Sequence, residues 1–128
     1  MLPGFDEETC NLSDYELKLV AGFVTSFKKY VGPENTITSF QIIEKYSIHG
    51  VKISGARVRK IISYIRTEGL VPGLMASSKG YYITTDPVEM GKWIESLQGR
   101  VTKIGMIMRK AEQYKHALEN HGQQKMDL

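Results

Sequence analysis

The stretch that decides the fold runs Ser54-Gly-Ala-Arg-Val-Arg-Lys-Ile-Ile-Ser-Tyr-Ile-Arg-Thr-Glu-Gly69. Val58, Ile61, Ile62 and Ile65 recur at three- and four-residue steps, which predicts a helix with that stripe in the core. Ser54 is suited to cap its start and Gly69 to end it in the left-handed conformation. At about 100° per residue, Ala56, Lys60, Ser63 and Thr67 fall opposite the stripe, with Arg57, Arg59 and Tyr64 on its shoulders. A small-residue crown with bases on both flanks suits a helix that enters a DNA major groove. The crown lets the backbone approach, while guanidinium and ammonium groups reach phosphates or guanine edges. Ser54 and Gly55 set a helix N-terminus, itself attractive to anions, beside those bases.

Working outward, residues 70–77 and 81–85 are short apolar runs around Ser78-Lys79-Gly80, the pattern of a β-hairpin. Lys79 sits at its tip and Tyr81 just after it, so the hairpin extends the candidate phosphate-binding surface. Upstream, Ser13 and Glu16 form a capping box. Val20, Phe23, Val24, Phe27 and Val31 then follow helical spacing up to Gly32-Pro33. A short extended piece at 36–38 precedes a second helix at 39–46, with Phe40, Ile43 and Tyr46 facing inward. Residues 47–53 form a connector longer than the three or four residues of a tight helix-turn-helix. Either the second helix is longer than 39–46, or the two helices splay.

Asp86-Pro-Val-Glu89 is an acidic, proline-bearing helix start. The helix it opens can run to about Leu118, about 48 Å. Met90, Ile94, Leu97, Val101, Ile104, Met108, Ala111 and Leu118 alternate steps of four and three, interrupted by Lys115. That is a coiled-coil seam. Residues 90–97 are expected to pack on the first helix. Val101, Ile104, Met108, Ala111 and Leu118 are expected to join a second copy into a homodimer. Gly99 and Gly105 are places for a bend, and the residues from Asn120 onward are expected to fray.

The run Ile53-Ser-Gly-Ala-Arg-Val-Arg-Lys-Ile-Ile62, then Tyr64-Ile-Arg66, Glu68-Gly69 and Lys79-Gly-Tyr-Tyr-Ile83, resembles a winged helix-turn-helix domain. It is similar to the small winged-helix proteins of bacteriophages and prophages, over residues 37–97. The resemblance implies an α+β, mostly helical fold: three helices plus a two-stranded wing, followed here by the long seam-bearing helix. It implies a double-stranded DNA partner, contacted by Ser54, Arg57, Arg59, Lys60, Ser63, Tyr64, Lys79 and Tyr81.

Composition narrows the classes. The 128 residues carry 17 Lys and Arg against 14 Asp and Glu, a formal charge of +3. Resolved along the chain, residues 1–20 hold five acids against Lys18, whereas residues 50–85 hold six bases against Glu68. Such asymmetry suggests a face for a polyanion. The single Cys10 forms no intramolecular disulfide, which points to a reducing cytoplasm; the resemblance implies that of a bacterium or a phage-infected host. No apolar run approaches a membrane span. His49, His116 and His121 lack ligand partners at metal spacing, and there is no phosphate-cradling glycine loop. No catalytic residue, metal, cofactor, membrane or small-molecule substrate is expected.

The expected organisation is an acidic leader at 1–12, a winged-helix domain at 13–97 and a helical oligomerisation element at 98–128. Two functions compete. The first is duplex DNA binding in transcription regulation or DNA replication. The second is a protein-interaction module that uses the same scaffold and the long helix to dock a host or viral partner. The second wins if the long helix lies across the basic residues of the third helix and hairpin, or if Lys60 is buried in ion pairs.

Overall fold

The structure, a computed structural model, describes residues 12–126. Cys10 and the acidic leader, apart from Leu12, lie outside the described residues. The elements run α1 (Asp14–Phe27), α2 (Ser39–Ile48), α3 (Gly55–Glu68), β1 (Leu74–Ser77), β2 (Gly80–Ile83) and α4 (Pro87–Met126). The described residues are thus α+β and mostly helical, with four helices and one two-stranded antiparallel sheet. The chain divides after Pro87 into two compact units.

In the first unit α3 is the central element, with α1 and α2 both packed on it. Its predicted bounds and caps are observed: Ser54 Oγ accepts the Arg57 N–H at 3.1 Å, and Gly69 ends the helix in the left-handed region. Val58, Ile61 and Ile65 are fully buried and Ile62 nearly so. Against them lie Val20, Phe23 and Phe27 of α1, Ile42 of α2, and Ile37, Ile53, Val71 and Leu74. Removing each such side chain from water contributes about 1.5–3 kcal/mol.

Helix α1 opens on the predicted capping box. Ser13 Oγ accepts the Glu16 N–H at 3.1 Å, and Glu16 Oε1 accepts the Ser13 N–H at 2.9 Å. It ends at Phe27, earlier than the spacing predicts. The chain leaves the helix to meet the hairpin: the Gly32 N–H donates to the Ile83 carbonyl and the Ile83 N–H to that of Tyr30. Val31 is exposed, and a backbone bridge holds it beside Ile83.

Helix α2 is capped by Thr38 and Gln41 and runs two residues past the expected 46. Phe40, expected inside, is 67% exposed, and Ile42 is the buried residue. The two are about 200° apart on the helix, so the face that carries Ile42 and Tyr46 turns Phe40 outward. Gly50, at φ 77, closes the helix, and the Val51 N–H reaches back to the Tyr46 carbonyl at 2.9 Å. Part of the long connector is thus helix and cap, and residues 51–54 carry the chain to α3.

The hairpin pairs Leu74 with Ile83 through Ser77 with Gly80, leaving Ser78 and Lys79 as the turn. The strands are shorter than the apolar runs. A third segment lies alongside: Ile37 and Tyr81 exchange backbone hydrogen bonds of 3.0 and 2.8 Å. Gly80 stands at φ 132, and a Cβ there would lie 2.7 Å from the Ile37 carbonyl oxygen. Only glycine permits this crossing.

In the second unit α4 is a continuous 40-residue helix. It runs unbroken through Gly99 and Gly105 and continues past Asn120 to Met126, about 60 Å in all.

Candidate nucleic-acid interface

Helix α3 turns one side to the core, which fixes what its other side presents. Ser54, Ala56, Arg59 and Thr67 are exposed, and Ser63 is half-buried. With Arg57, Lys60 and Glu16 of α1, the residues Ser54, Ala56, Arg59 and Ser63 line a shallow open depression. Arg59 is exposed and lies back along the helix toward Gly55.

Arg57 and Lys60 are placed differently from their expected free positions. Both lean onto Glu16, which is 4% exposed. Lys60 Nζ donates to Glu16 Oε1 at 3.0 Å, and Arg57 Nε lies 3.4 Å from Oε2. The Arg57 guanidinium also sits 5.1 Å from the centre of the Tyr15 ring. Only 23% of the Lys60 side chain is exposed, against 39% for Arg57. Three charged groups thus present a net charge of one.

Glu16 shows how these contacts act. Burial pushes its pKa up, yet hydrogen bonds from the Ser13 N–H, the Lys60 ammonium and the Ser13 hydroxyl, with the Lys60 charge, outweigh it. The result is a pKa lowered from 4.5 to about 2. A buried carboxylate held ionised in this way anchors both cations. The sequence alone shows Glu16 only as a capping residue. The signal that it does more is its place at the head of the stripe Glu16, Val20, Phe23, Phe27, where an acid stands in an apolar register.

Of the two tyrosines expected at the surface, Tyr81 is half-buried, its ring against Phe27 at 6.0 Å between centres. Tyr64 is likewise partly buried against the core. Both support the fold from within the unit. Arg66, half-buried, has its pKa lowered by burial, with Tyr81 acting in the opposite sense. Lys79 is exposed at the hairpin turn. Its N–H donates to Ser77 Oγ at 3.2 Å, and its carbonyl accepts from Thr36 Oγ1 at 2.9 Å.

In the second unit Val101, Ile104, Met108, Ala111 and Leu118 are all exposed. Among the described residues no group of His, Cys, Asp and Glu is placed to hold a metal ion. No described helix is long and apolar enough to cross a membrane. No family model, curated protein or solved structure matches the chain.

Proposed function

We propose that the first unit is a winged helix-turn-helix domain that binds double-stranded DNA through α3 and the β1–β2 hairpin, in transcription regulation or DNA replication. One observation carries this reading: α3 buries its whole apolar stripe and leaves Ser54, Ala56 and Arg59 exposed, with Ser63 half-buried beside them. Small side chains allow close approach of the helix to a groove, and an exposed guanidinium supplies a phosphate or guanine contact. The element order and the Ile37 segment beside the hairpin suit the same fold.

The contact set is weighted by the geometry. Arg59 and Lys79 carry the exposed charge. Arg57 and Lys60 contribute less, because Glu16 offsets one of their two charges. Ser54 and Ser63 hydrogen-bond to backbone phosphates. The test is anisotropy of a labelled random duplex across a salt titration, with wild type and the double variant R59A/K79A. The variant should bind at least about tenfold more weakly, with a salt slope smaller by about 1–2. Equal affinity and equal slope would remove the assignment.

A second reading, the protein-interaction module, is favoured by one observation: Lys60 is held in an ion pair with a buried carboxylate. It takes over if the wild-type chain shows no salt-dependent affinity for duplex DNA.

A further inference from the structure

Arg57 and Arg59 stand two residues apart at the start of α3, yet their guanidinium groups are held in different ways. Arg57 has two buttresses, both from the first turn of α1. Glu16 Oε2 approaches its Nε at 3.4 Å, and the centre of the Tyr15 ring lies 5.1 Å from the guanidinium carbon. Glu16 is itself fixed, since it is buried and accepts from the Ser13 N–H and from Lys60. Among the described residues Arg59 has no ion pair and no ring contact. It is exposed, whereas Arg57 is half-buried.

The two arrangements suit different acceptors. A phosphate accepts from many directions, so an unbuttressed guanidinium meets it by adjusting. A base edge offers acceptors at fixed positions: guanine N7 and O6 take two N–H donors side by side, in the plane of the base. A guanidinium that already holds one orientation gives up little further rotamer freedom on meeting such an edge. The closest approach of Glu16 is to Nε, the root of the group. The terminal Nη1–Nη2 fork, which matches a guanine edge, is the part left for a further acceptor.

The position of Arg57 agrees. It lies in the first turn of α3, between the exposed small residues Ser54 and Ala56 and the exposed Arg59. These four residues line the open depression. In a helix that enters a major groove, the N-terminal residues are the ones that reach base edges.

From this we infer that Arg57 is the residue that reads sequence: held by Glu16 and Tyr15, it selects a guanine in the major groove, while Arg59 and Lys79 hold the backbone. Glu16 and Tyr15 are positioning residues that act through Arg57. The inference rests on the DNA-binding reading above and adds to it a guanine at one fixed place in the target site.

The test selects duplexes from a random library with the wild-type chain. Anisotropy then compares the selected duplex with copies in which one guanine at a time is replaced by adenine, with its pairing partner, or by 7-deazaguanine, which lacks the N7 acceptor. At one position both replacements should weaken binding at least about fivefold. R57A and R57K should lose this preference, the lysine because it keeps the charge without the fork. R59A should weaken binding to every duplex and keep the preference. E16Q and Y15A should reduce the preference, E16Q while tightening binding to random duplex. Thermal melts establish that each variant is folded before its preference is read. A preference kept in both R57A and R57K overturns the inference, as does salt-dependent duplex binding with no guanine preference at any position. The absence of any salt-dependent duplex binding is a distinct result, which overturns the DNA-binding reading and the inference with it.

Discussion

Lys60 Nζ and Glu16 Oε1 meet at 3.0 Å across 44 residues of sequence, joining the first turn of α1 to the middle of α3. The carboxylate that receives Lys60 also caps α1 through the Ser13 N–H at 2.9 Å. One side chain therefore starts a helix and holds the basic helix beside it. Replacement by glutamine separates these roles, because a glutamine at this position retains the capping box and loses the charge.

E16Q should accordingly cost about 1–3 kcal/mol of stability near neutral pH. Glu16's folded pKa, about 2, lies below its ordinary 4.5, so its contribution is present above that ordinary value. It is lost as the pH falls from about 4.5 through about 2. Urea midpoints of wild type and E16Q, followed from neutral pH downward, should converge over that window. E16A, which also loses the cap, should be less stable than E16Q at neutral pH. A constant gap between wild type and E16Q down to the acid end would contradict the ion-pair account.

The same substitution bears on DNA. With Glu16 neutral, Arg57 and Lys60 are released to phosphates, so E16Q should bind random duplex more tightly and with a steeper salt slope, by about one. R57A and K60A should each reduce affinity less than R59A. Anisotropy at a single low salt concentration, followed by a titration, separates the four proteins. K60A weaker than R59A would mean that Lys60 leaves Glu16 on binding.

The outward turn of Phe40 is checked by stability alone. F40S should change the unfolding free energy by less than about 0.5 kcal/mol, whereas I42A should cost about 2–4 kcal/mol. Reversed magnitudes would show that α2 is rotated by about half a turn.

Two glycines should respond in opposite directions. G80A meets the Ile37 carbonyl oxygen at 2.7 Å and requires φ 132, so it should destabilise the first unit by at least about 2 kcal/mol. G99A meets nothing within 4 Å and lies within the continuous α4, so it should raise helicity and stabilise α4 by about 1 kcal/mol. Circular dichroism and thermal melts of both variants read the contrast.

Local signals explain what the sequence makes legible. Serine cap, apolar stripe and left-handed glycine all lie within residues 54–69, and α3 matches them end to end. The end of α1 was not legible, because Val31 keeps helical spacing while its backbone is drawn to Ile83 by a non-local bridge. Phe40 illustrates a phase error: taking its ring as the inward mark of α2 hides that Ile42 and Tyr46 share the buried side. For the candidate site, angular position on α3 correctly sets Ala56 and Arg59 toward solvent. It could not show Lys60 reaching Glu16, since that contact depends on how α1 crosses α3.

The hairpin is tied along its length to the segment between α1 and α2. Backbone bonds join Ile37 with Tyr81 twice, Gly32 and Tyr30 with Ile83, and Thr36 Oγ1 holds the Lys79 carbonyl. Its turn is therefore placed during folding, with the Lys79 side chain exposed beyond it. Whatever meets this tip meets a pre-ordered surface, so association there carries little ordering entropy and little change in heat capacity from coupled folding. Calorimetry of a complex should then show a docking of rigid bodies, with the lysine stem as the one part that settles.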